Sequence, residues 1–503
     1  MAGVVAALSV TSDLTRGHPP GEAMRACLLA TELARRAGLA DADACDVYYT
    51  ALLRYAGCAA TSHELAAALG GDDVVVRARG DMIDASRPAE ALRLLAGLTD
   101  GAGRLRILAR APIVPGLITE GARADCEVGA DIIRALRLPE AVARAVLDGF
   151  ERFDGRGVPA GRAGPEVAEA ARFAAVGYAA VMFDAVGGEV AATEIVARWS
   201  GRALDPSITA VFLEAPAELL AISDPEDPWA AVVDAEPAPH RTFQDDAALD
   251  EALAAFGDAA DLKAPWFHGH SRGVAALARA AAAGMNTGGD APLVQRAGLL
   301  HDLGRVAVPT GIWERPGPLR PAEWELVRMH PYHSGRILAR SPVLAPLASA
   351  VGRHHERVDG SGYPAGVHAS ELDARVCLLA AADVLHALGE PRPHRPALDP
   401  DAAARVLAGL PLDRDALRAV LDAAGAPPPP LPPLPADVTE RELQILRRLV
   451  AGRTKRQIAS ELVISPSTVH THTVHIYAKC GVSTRAGLAM FAMRHGLVGA
   501  RID

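Results

Sequence analysis

The chain has 503 residues, 51 Lys+Arg against 61 Asp+Glu, and a net charge of −10; half of its residues are hydrophobic and 4% are aromatic. The acidic total excludes a protein that coats nucleic acid along its whole length, and the abundance of aliphatic side chains excludes wholesale disorder. At roughly 150 residues per domain, the length predicts about three domains. The charge is uneven, since residues 437–503 hold ten Lys+Arg against five Asp+Glu and the preceding residues hold 41 against 56.

The cysteines and the N-terminus indicate a cytoplasmic protein. The six cysteines form no Cys-x-x-Cys pair, which favours buried reduced thiols over a disulfide framework. The first residues lack the basic segment typical of a secretory signal, and no uncharged apolar stretch reaches 18 residues. We therefore expect no membrane span.

Most of the chain has helical periodicity. Apolar residues recur every three or four positions, as at Ala23, Cys27, Ala30 and Leu33, and this predicts an all-α fold. The triplet at 74–76 (Val-Val-Val) is the best strand candidate, but it is too short to build a sheet.

Two segments break the helical pattern. Residues 223–248 are rich in proline and acidic residues and are predicted to be a linker. Residues 426–436 contain seven prolines and are predicted to be a polyproline spacer, the alternative being a ligand for a proline-binding domain.

Three blocks occur twice in the same order. GHPPGEA at 17–23 matches GHSRGVA at 269–275, ALLRYAG at 51–57 matches GLLHDLG at 298–304, and GFERFDGRGVPAG at 149–161 matches HHERVDGSGYPAG at 354–366. Chance similarity in an Ala-rich chain is the alternative, but the shared E-R-x-D-G-x-G-x-P-A-G spacing favours duplication. We predict two helical domains, at residues 14–222 and 249–425.

Histidines are concentrated in the second of these domains. Ten of the 17 lie between His268 and His394. Adjacent ligands at the end of a helix point about 100° apart, so a His-Asp doublet can reach two neighbouring ions, and two ions can activate a water and clamp a phosphodiester oxygen. Imidazole and carboxylate suit Fe, Mn, Zn or Ni. Isolated histidines such as His18, His63 and His240 are more simply surface or core residues, and so are His333, His368 and His386. The candidate metal ligands are His270, His301, Asp302, His330, His354, His355 and Asp383.

These motifs resemble those of the HD-GYP domain, an all-helical branch of the HD phosphohydrolases. The resemblance rests on H-D-L-G-R at 301–305, H-H-E-R-V-D-G-S-G-Y-P at 354–364 and A-A-A-D-V-L-H-A-L around Asp383, and it covers residues 265–400. It implies hydrolysis of cyclic di-GMP with Fe or Mn. One ion would be held by His270, His301 and Asp383, and the other by His330, His354 and His355. Asp302 would bridge the two ions, and the hydroxide between them would attack the phosphorus.

Two residues depart from the family pattern. Arg305 stands where the family has Lys; it would still steady the phosphate, but with a broader fork of donors. Trp266 stands where members with three ions have Glu, so we expect two ions. The candidate substrate loop has two glycines that permit close approach of a ligand, the alternative being a tight surface turn. It consists of Asp359, Gly360, Gly362, Tyr363 and Pro364.

The first copy lacks nearly all of these ligands. Arg54-Tyr55 replaces His-Asp, Gly149-Phe150 replaces His-His, Ala124 stands at the third His position, and Ala180 or Val181 stands at the Asp position. His18 alone remains, and one histidine cannot hold a pair of metal ions. We predict a degenerate copy that binds a ligand, mediates dimerisation or is structurally inert.

The last 67 residues have the pattern of a small helical domain. Thr439 with Glu442 forms a capping box, a second helix spans about 456–462, Ser465-Pro466 starts a third, and a fourth follows Ser483. The pieces T-E-R-E, I-A-S-E-L, T-V-x-T-H and K-C-G-V-S-T-R-A resemble the LuxR-type (GerE-like) helix-turn-helix domain, which implies DNA binding over residues 437–503. A helical bundle that binds another protein is the alternative.

The resemblance implies that the third helix of this domain lies in the major groove of DNA. The expected outward positions are Ser467, Thr468, His470, Thr471 and Val474, and the expected phosphate contacts are Lys455, Arg456 and Lys479. Many relatives have Lys where His470 stands, which implies a weaker and pH-sensitive contact here. Such domains bind paired half-sites, so we expect a homodimer.

Taken together, the motifs predict a cytoplasmic transcriptional regulator. A phosphodiesterase with two metal ions, acting on cyclic di-GMP or a related nucleotide, would be coupled to LuxR-type DNA binding. Two alternatives stay open: a ligand-sensing transcription factor whose site binds nucleotide with little turnover, and a generic HD nucleotide phosphohydrolase.

Overall fold

The structure is a computed structural model, which describes residues 1–84, 87, 90, 93–94, 97, 114–285, 290–426, 434–450, 453–482, 485–495 and 497. Within these residues the regular elements are α-helices and short 3-10 helices, accompanied by a few isolated β-bridges. The predicted all-α fold is therefore confirmed. The chain forms two compact units, residues 1–272 with 299–348 and residues 273–298 with 349–503.

The first unit contains a series of helices joined by short turns. Its helices are Ala2–Arg16, Glu22–Arg36, Asp41–Leu53, Ser62–Leu69, Asp73–Gly80, Val114–Ala135, Glu140–Leu147, Glu169–Trp199, Pro206–Glu214, Pro216–Ser223, Pro228–Asp234, Asp246–Asp261, Thr310–Trp313, Pro321–Arg328 and His330–Ala339. Three further helices include the points where the chain passes between units: His270–Gly284, Ala291–Leu300 and Ala345–Gly352.

The centre of the first unit is formed by helix Glu22–Arg36, which packs against Asp41–Leu53 and Glu169–Trp199. The four positions that gave the helical period, Ala23, Cys27, Ala30 and Leu33, are all completely buried. The periodicity thus identified a true core face, because residues three and four apart lie on one side of a helix.

Residues 74–76 are helical, so the strand candidate is wrong. They belong to helix Asp73–Gly80, whose first turn is capped by the Asp72 carboxylate accepting from the Val75 amide at 2.9 Å. Val76 is buried, and Val74 lies close against Gly17. Capping and packing outweigh the weak preference of three β-branched residues for strand geometry.

The predicted linker contains a short helix. Pro228–Asp234 begins with proline in the first turn, where the missing amide hydrogen costs nothing, and Asp227 accepts hydrogen bonds from the Trp229 and Ala230 amides. The Trp229 indole donates to the Gly3 carbonyl at 3.2 Å, which anchors this helix to the N-terminal helix. Proline content therefore marked a helix start here as well as a break.

The second unit ends in a compact four-helix bundle. Its helices Glu440–Val450, Lys455–Glu461, Pro466–Lys479 and Arg485–Arg494 surround a core that includes Leu446, Ile458, Val469, Ile476 and Leu488. The predicted four-helix pattern is confirmed. The unit's other helices are Ala374–Leu388, Pro400–Ala408 and Arg414–Ala423. Residues 427–433, which hold most of the predicted polyproline spacer, lie outside the described residues.

Helix Glu169–Trp199 is long and apolar enough to cross a membrane by length and composition, and the bent pair Pro206–Glu214 and Pro216–Ser223 passes the same test if it is counted as one span. Half of the apolar window of the long helix is buried inside the protein, as in the core helices of soluble proteins. The helix is also interrupted by non-helical backbone at Gly187 and Gly188. The absence of a membrane span stays a prediction.

Candidate functional site

The doublet His301-Asp302 follows directly on helix Ala291–Leu300 and precedes a 3-10 helix, Leu303–Ala307. At Gly304 a Cβ atom would collide with the carbonyl oxygen of His330, so the glycine permits close approach of the two segments. The Ser334 hydroxyl accepts from the Gly304 amide at 2.8 Å and donates to the His330 carbonyl at 3.0 Å. The doublet is thereby fixed beside His330.

Three buried imidazoles converge on Asp302. The Nε2 atoms of His301 and His270 lie 3.0 and 3.5 Å from its Oδ2, and that of His330 lies 3.1 Å from its Oδ1. All four side chains are at most 2% exposed. Burial raises the pKa of Asp302, but the nearby Arg305 and His301 outweigh it and hold that pKa well below its usual range. Asp302 is therefore an ionised carboxylate among imidazoles.

The hydrogen bond of His330 fixes its tautomer. Its Nδ1 lies 2.6 Å from the Val327 carbonyl oxygen. Because a carbonyl can only accept, Nδ1 carries the proton and Nε2 is the lone-pair nitrogen on the side of Asp302. Imidazole nitrogens around a carboxylate are a donor set that suits first-row transition metals, so these residues fit the ions that the sequence predicts.

The second unit holds the other predicted ligands, and they also cluster. His354 is fully buried, and its Nδ1 lies 2.7 Å from the Val351 carbonyl oxygen, so its Nε2 is also the lone-pair nitrogen. The ring centroids of His354 and His355 are 4.2 Å apart. Nδ1 of His355 lies 3.7 Å from Asp383 Oδ2, and its ring stacks on Tyr363 at 4.7 Å. The tyrosine of the candidate substrate loop thus stacks directly on a candidate ligand.

The substrate loop is organised by Glu356, which is 1% exposed. Its carboxylate accepts from the amides of Ala365, Gly366 and Val367 at 2.7, 3.2 and 3.1 Å, just beyond Pro364. Asp359 accepts from the Ser361 amide, Gly360 has φ of 79°, and a Cβ at Gly362 would collide with the backbone of residues 356 and 357. The loop is therefore a constrained structure built around a buried carboxylate.

Residues 151–167 of the first unit form a loop with the same internal bonds. Glu151 accepts from the Ala160 and Arg162 amides at 2.7 and 3.0 Å, as Glu356 does from its own loop. Asp154 accepts from the Arg156 amide at 3.1 Å, and a Cβ at Gly157 would collide with the Glu151 backbone. Each loop is closed by a bridge, between 154 and 163 in one and 359 and 368 in the other. The two matching loop sequences, 205 residues apart, thus have the same pattern of internal hydrogen bonds.

An ion-pair network surrounds His18 in the first unit. The Arg16 guanidinium is 2.9 Å from Glu22 and 2.8 Å from Asp81, and it lies 3.8 Å from the centroid of the Tyr55 ring. His18 is 2.7 Å from Glu22 and 3.2 Å from Asp81. Burial opposes protonation of His18, but its bonds to both carboxylates outweigh this and raise its pKa to about 9. The carboxylates of Glu22 and Asp81 are therefore paired with the Arg16 guanidinium, a cation that the chain itself supplies.

A second buried ion pair of the first unit joins helix Asp73–Gly80 to Lys263, which follows helix Asp246–Asp261. Lys263 and Asp73 are both fully buried, with Nζ 2.7 Å from Oδ2. The Lys263 ammonium also donates to the Val306 carbonyl at 3.0 Å, and Asp73 accepts from the Thr310 amide at 2.8 Å. Burial raises the pKa of Asp73, but Lys263 and this amide outweigh it and lower that pKa. The pair therefore contacts the segment that follows His301-Asp302.

Helix Pro466–Lys479 presents its predicted outward residues to solvent. Its buried residues are Val469, Thr473 and Ile476. Ser465 accepts from the Thr468 amide and caps the helix, as the Ser-Pro motif predicts. The DNA-contacting role stays a prediction for the exposed residues of this helix, which are Ser467, Thr468, His470, Thr471 and Val474.

The three predicted phosphate contacts differ in their surroundings. Lys455 and Arg456 are exposed, and Lys455 Nζ donates to His470 Nδ1 at 2.8 Å. Lys479 instead donates to Glu442 at 2.7 Å and to the Asp437 carbonyl at 2.8 Å, which ties the third helix of the bundle to its first. The charge of Lys479 is therefore paired with a carboxylate of the same domain, in contrast to Lys455 and Arg456.

Surface ion pairs connect the bundle with helix Arg414–Ala423 of the same unit. Arg414 and Arg418 lie 3.2 and 2.7 Å from Glu440, and Arg447 pairs with Asp415. These side chains are 21–45% exposed, so the pairs are screened by salt and individually weak.

Comparison with known families matches two segments of the chain. The HD domain family matches residues 255–411, a range that contains every predicted metal ligand. The luxR family of bacterial regulatory proteins matches residues 436–492.

Individual relatives extend the match beyond the HD segment. The chain is 30% identical over 419 residues to the 3'3'-cGAMP-specific phosphodiesterase 3 of Vibrio cholerae, covering 81% of this chain and 90% of that protein. The crystal structure of a cyclic GMP-AMP-specific phosphodiesterase of V. cholerae superposes with a TM-score of 0.59 at 26% identity, covering 85% of this chain and 98% of that one. A cyclic di-GMP phosphodiesterase of Pseudomonas aeruginosa is 40% identical over 108 residues, covering 21% of this chain and 26% of that protein.

The fold and these matches define a metal-dependent phosphohydrolase of the HD type. This chain belongs to the HD-domain phosphodiesterase family, and it carries a LuxR-family DNA-binding domain at residues 436–492.

Sequence reasoning missed residues that position the ligands. Asp261 accepts from both the amide and the hydroxyl of Ser271 at 2.8 Å and so secures the helix that begins at His270. Glu356 lies inside the recognised motif, and its place directly after two histidines was the only signal of its role. Lys263 offered a different signal, because it is one of three lysines beside 48 arginines.

Proposed function

We propose that this chain is a cytoplasmic transcriptional regulator that hydrolyses a 3'3'-linked cyclic dinucleotide and couples this activity to DNA binding. The observation that carries the proposal is the convergence of His270, His301 and His330 on the buried Asp302, within the segment that matches the HD domain family.

The proposed metal centre has two ions, most simply Fe or Mn. One ion would be held by His270, His301 and Asp383, and the other by His330, His354 and His355. Asp302 would bridge the two ions. The fixed tautomers of His330 and His354 support this assignment, because each directs a lone-pair nitrogen away from its carbonyl partner. When bound, such ions supply an activated water and stabilise the charge of the phosphorane-like transition state. Trp266 cannot act as the carboxylate ligand of a third ion.

Two side chains would act on the substrate directly. Arg305 is the one cation beside Asp302 in the described part of this segment, and its guanidinium would bind the phosphate oxygens. Asp302, held ionised, would instead offer its two oxygens to the two ions. Tyr363, stacked on His355, would present its outer edge to the nucleotide from the constrained loop. The names of the relatives support a cyclic dinucleotide as the substrate, either 3'3'-cGAMP or cyclic di-GMP.

The first helical region, residues 14–222, is proposed to be a degenerate copy of the same domain. The repeated loop geometry at 151–167 supports the duplication. The Arg16 guanidinium, paired with Glu22 and Asp81, supplies positive charge where the intact copy would hold ions. This copy would therefore fold without metal.

The C-terminal domain is proposed to bind paired DNA half-sites as a homodimer. Its exposed helix face and the cations Lys455 and Arg456 support this role. The ion pairs of Glu440 with Arg414 and Arg418 supply a contact through which the nucleotide site could bias DNA binding, and their exposure makes that contact easy to break.

The enzymatic proposal is tested by incubating the purified Mn²⁺- or Fe²⁺-loaded full chain with 3'3'-cGAMP and cyclic di-GMP, with product analysis and metal determination. We expect linear dinucleotide products, about two ions per chain, and loss of both turnover and metal in H301A. Binding without turnover would instead favour a nucleotide sensor, and neither binding nor turnover would refute the cyclic-dinucleotide assignment.

The DNA-binding proposal is tested by truncating the chain after Pro435. We expect the truncated chain to retain phosphodiesterase activity and to lose DNA binding. Retained DNA binding would contradict the assignment of residues 437–503.

A further inference from the structure

Arg305 packs against two aromatic rings that also contact each other. Its guanidinium carbon is 3.8 Å from the centroid of the Phe267 ring and 5.6 Å from that of the Trp313 ring. The rings themselves are 5.6 Å apart at 87°. The Trp313 indole also approaches the Arg305 carbonyl oxygen at 3.4 Å. A planar cation against an aromatic face is attracted by the ring quadrupole, most strongly where water is excluded.

The guanidinium has donors to spare. The side chain is 7% exposed, and Nη2 donates to the Asp302 carboxylate. Nε and Nη1 are buried and have no hydrogen-bond partner among the described residues of the chain. Buried donors without a partner are costly, so their survival at this position points to an acceptor that arrives with the substrate. A phosphate oxygen accepts charge-assisted hydrogen bonds from guanidinium N–H groups, which makes a phosphodiester a fitting partner for these donors.

We propose that Phe267 and Trp313 form a cage that orients the Arg305 guanidinium, so that its unpartnered Nη1 donates to a phosphodiester oxygen of the substrate. This inference rests on the proposed function and assigns the two aromatic residues as positioning residues that act through Arg305. Trp313 also contacts His330, with ring centroids 5.9 Å apart, so the cage is connected to a candidate ligand.

The cage explains how the chain tolerates the departure from the family's lysine. An ammonium has no planar face to stack on Phe267, so lysine at 305 would leave the cage unfilled. The substitution R305K, which restores the family residue, is therefore expected to impair this protein.

The test uses the Mn²⁺-loaded full chain, a non-hydrolysable bis-phosphorothioate analogue of 3'3'-cGAMP as the calorimetric probe, and steady-state kinetics on 3'3'-cGAMP and cyclic di-GMP. R305K and F267L are each expected to weaken probe binding by about 3- to 30-fold, the range of a desolvated cation–π contact. F267L made in the R305K background is expected to add less than twofold, because the ring acts through the guanidinium. F212L, which trims another buried phenylalanine of the same unit, is the matched control and should leave binding unchanged.

Four results would overturn the inference. The first is an R305K chain that binds the probe as tightly as the wild type, and the second is F267L weakening binding equally in both backgrounds, because equal losses indicate a merely structural ring. A wild-type enzyme that turns over the substrate while R305K is unaffected removes the cage alone. A wild-type chain that neither binds nor hydrolyses any cyclic dinucleotide removes the proposed function, and the cage with it. Circular dichroism of each variant confirms that it is folded.

Discussion

The buried pair of Lys263 and Asp73 permits a sharp prediction about stability. In K263M the Asp73 carboxylate stays fully buried and loses the Lys263 ammonium, while the Thr310 amide and the Ser62 hydroxyl beside it remain. Breaking a buried ion pair from one side costs about 3–5 kcal/mol, because the remaining charge is uncompensated. D73N is expected to cost a similar amount, since it leaves the ammonium with the Val306 carbonyl.

The double variant D73N/K263M separates charge compensation from packing. Neither charge is then buried, and the asparagine oxygen can still accept from the Thr310 amide. The remaining loss is the under-satisfied Val306 carbonyl, about 1–3 kcal/mol. The double variant should therefore be more stable than either single variant.

Urea unfolding followed by circular dichroism measures these differences, and hydrogen exchange of a peptide covering residues 303–313 reports the local effect. Exchange should accelerate in K263M and partly recover in the double variant. R134M/E140Q, which removes an ion pair of similar length at the surface, should shift the urea midpoint little. Losses that simply add in D73N/K263M, or a K263M chain as stable as the wild type, would refute the reasoning.

Three further predictions address other parts of the chain. The pKa of His18 is raised to about 9 from an ordinary 6.5, so protonated His18 contributes at most about 3 kcal/mol to the free energy of unfolding. This contribution is complete below pH 6.5 and is lost as the pH rises to 9. H18Q should flatten the fall in unfolding free energy over that range, and an unchanged profile would contradict the network. In DNA-binding titrations, K455A should reduce the slope of log K against log salt by about 0.9, and H470K should increase it by a similar amount; unchanged slopes would remove both residues from the phosphate interface. I476A, in the fully buried core of the LuxR domain, should lower the free energy of unfolding by about 2–5 kcal/mol, measured by thermal unfolding. It should abolish DNA binding at 37 °C while phosphodiesterase activity persists. A parallel loss of activity would show that the domain does not unfold independently.

The sequence carried the fold class because helical periodicity is a local property. Cys27 and Leu33 are buried as their spacing predicts, and the capping motif of Ser465 marks the start of a helix where expected. The triplet at 74–76 misled because intrinsic β-preference is weaker than a cap and a packing face. The cap comes from the neighbouring Asp72, but the packing face depends on residues distant in the chain, such as Gly17.

The candidate metal ligands could be proposed from the sequence because metal chemistry restricts ligands to a few residue types at characteristic spacings. The groups that position them could not, because each supporting contact is made by an ordinary residue whose role exists only after folding. Ser334 bridges Gly304 and His330 through one hydroxyl, and nothing in its local sequence distinguishes it from other serines.

The two cations of this region illustrate why composition can still point to such sites. In a chain that uses arginine almost throughout, Lys263 is retained in a fully buried position where its compact ammonium reaches both Asp73 and the Val306 carbonyl. At 305, by contrast, the planar guanidinium packs on the Phe267 ring close to Trp313, a contact that suits its flat face. At 263 the larger planar fork of an arginine would have to displace neighbours that pack closely around a fully buried side chain. A K263R variant should accordingly be destabilised although its charge is conserved, which would separate the shape of the cation from its sign.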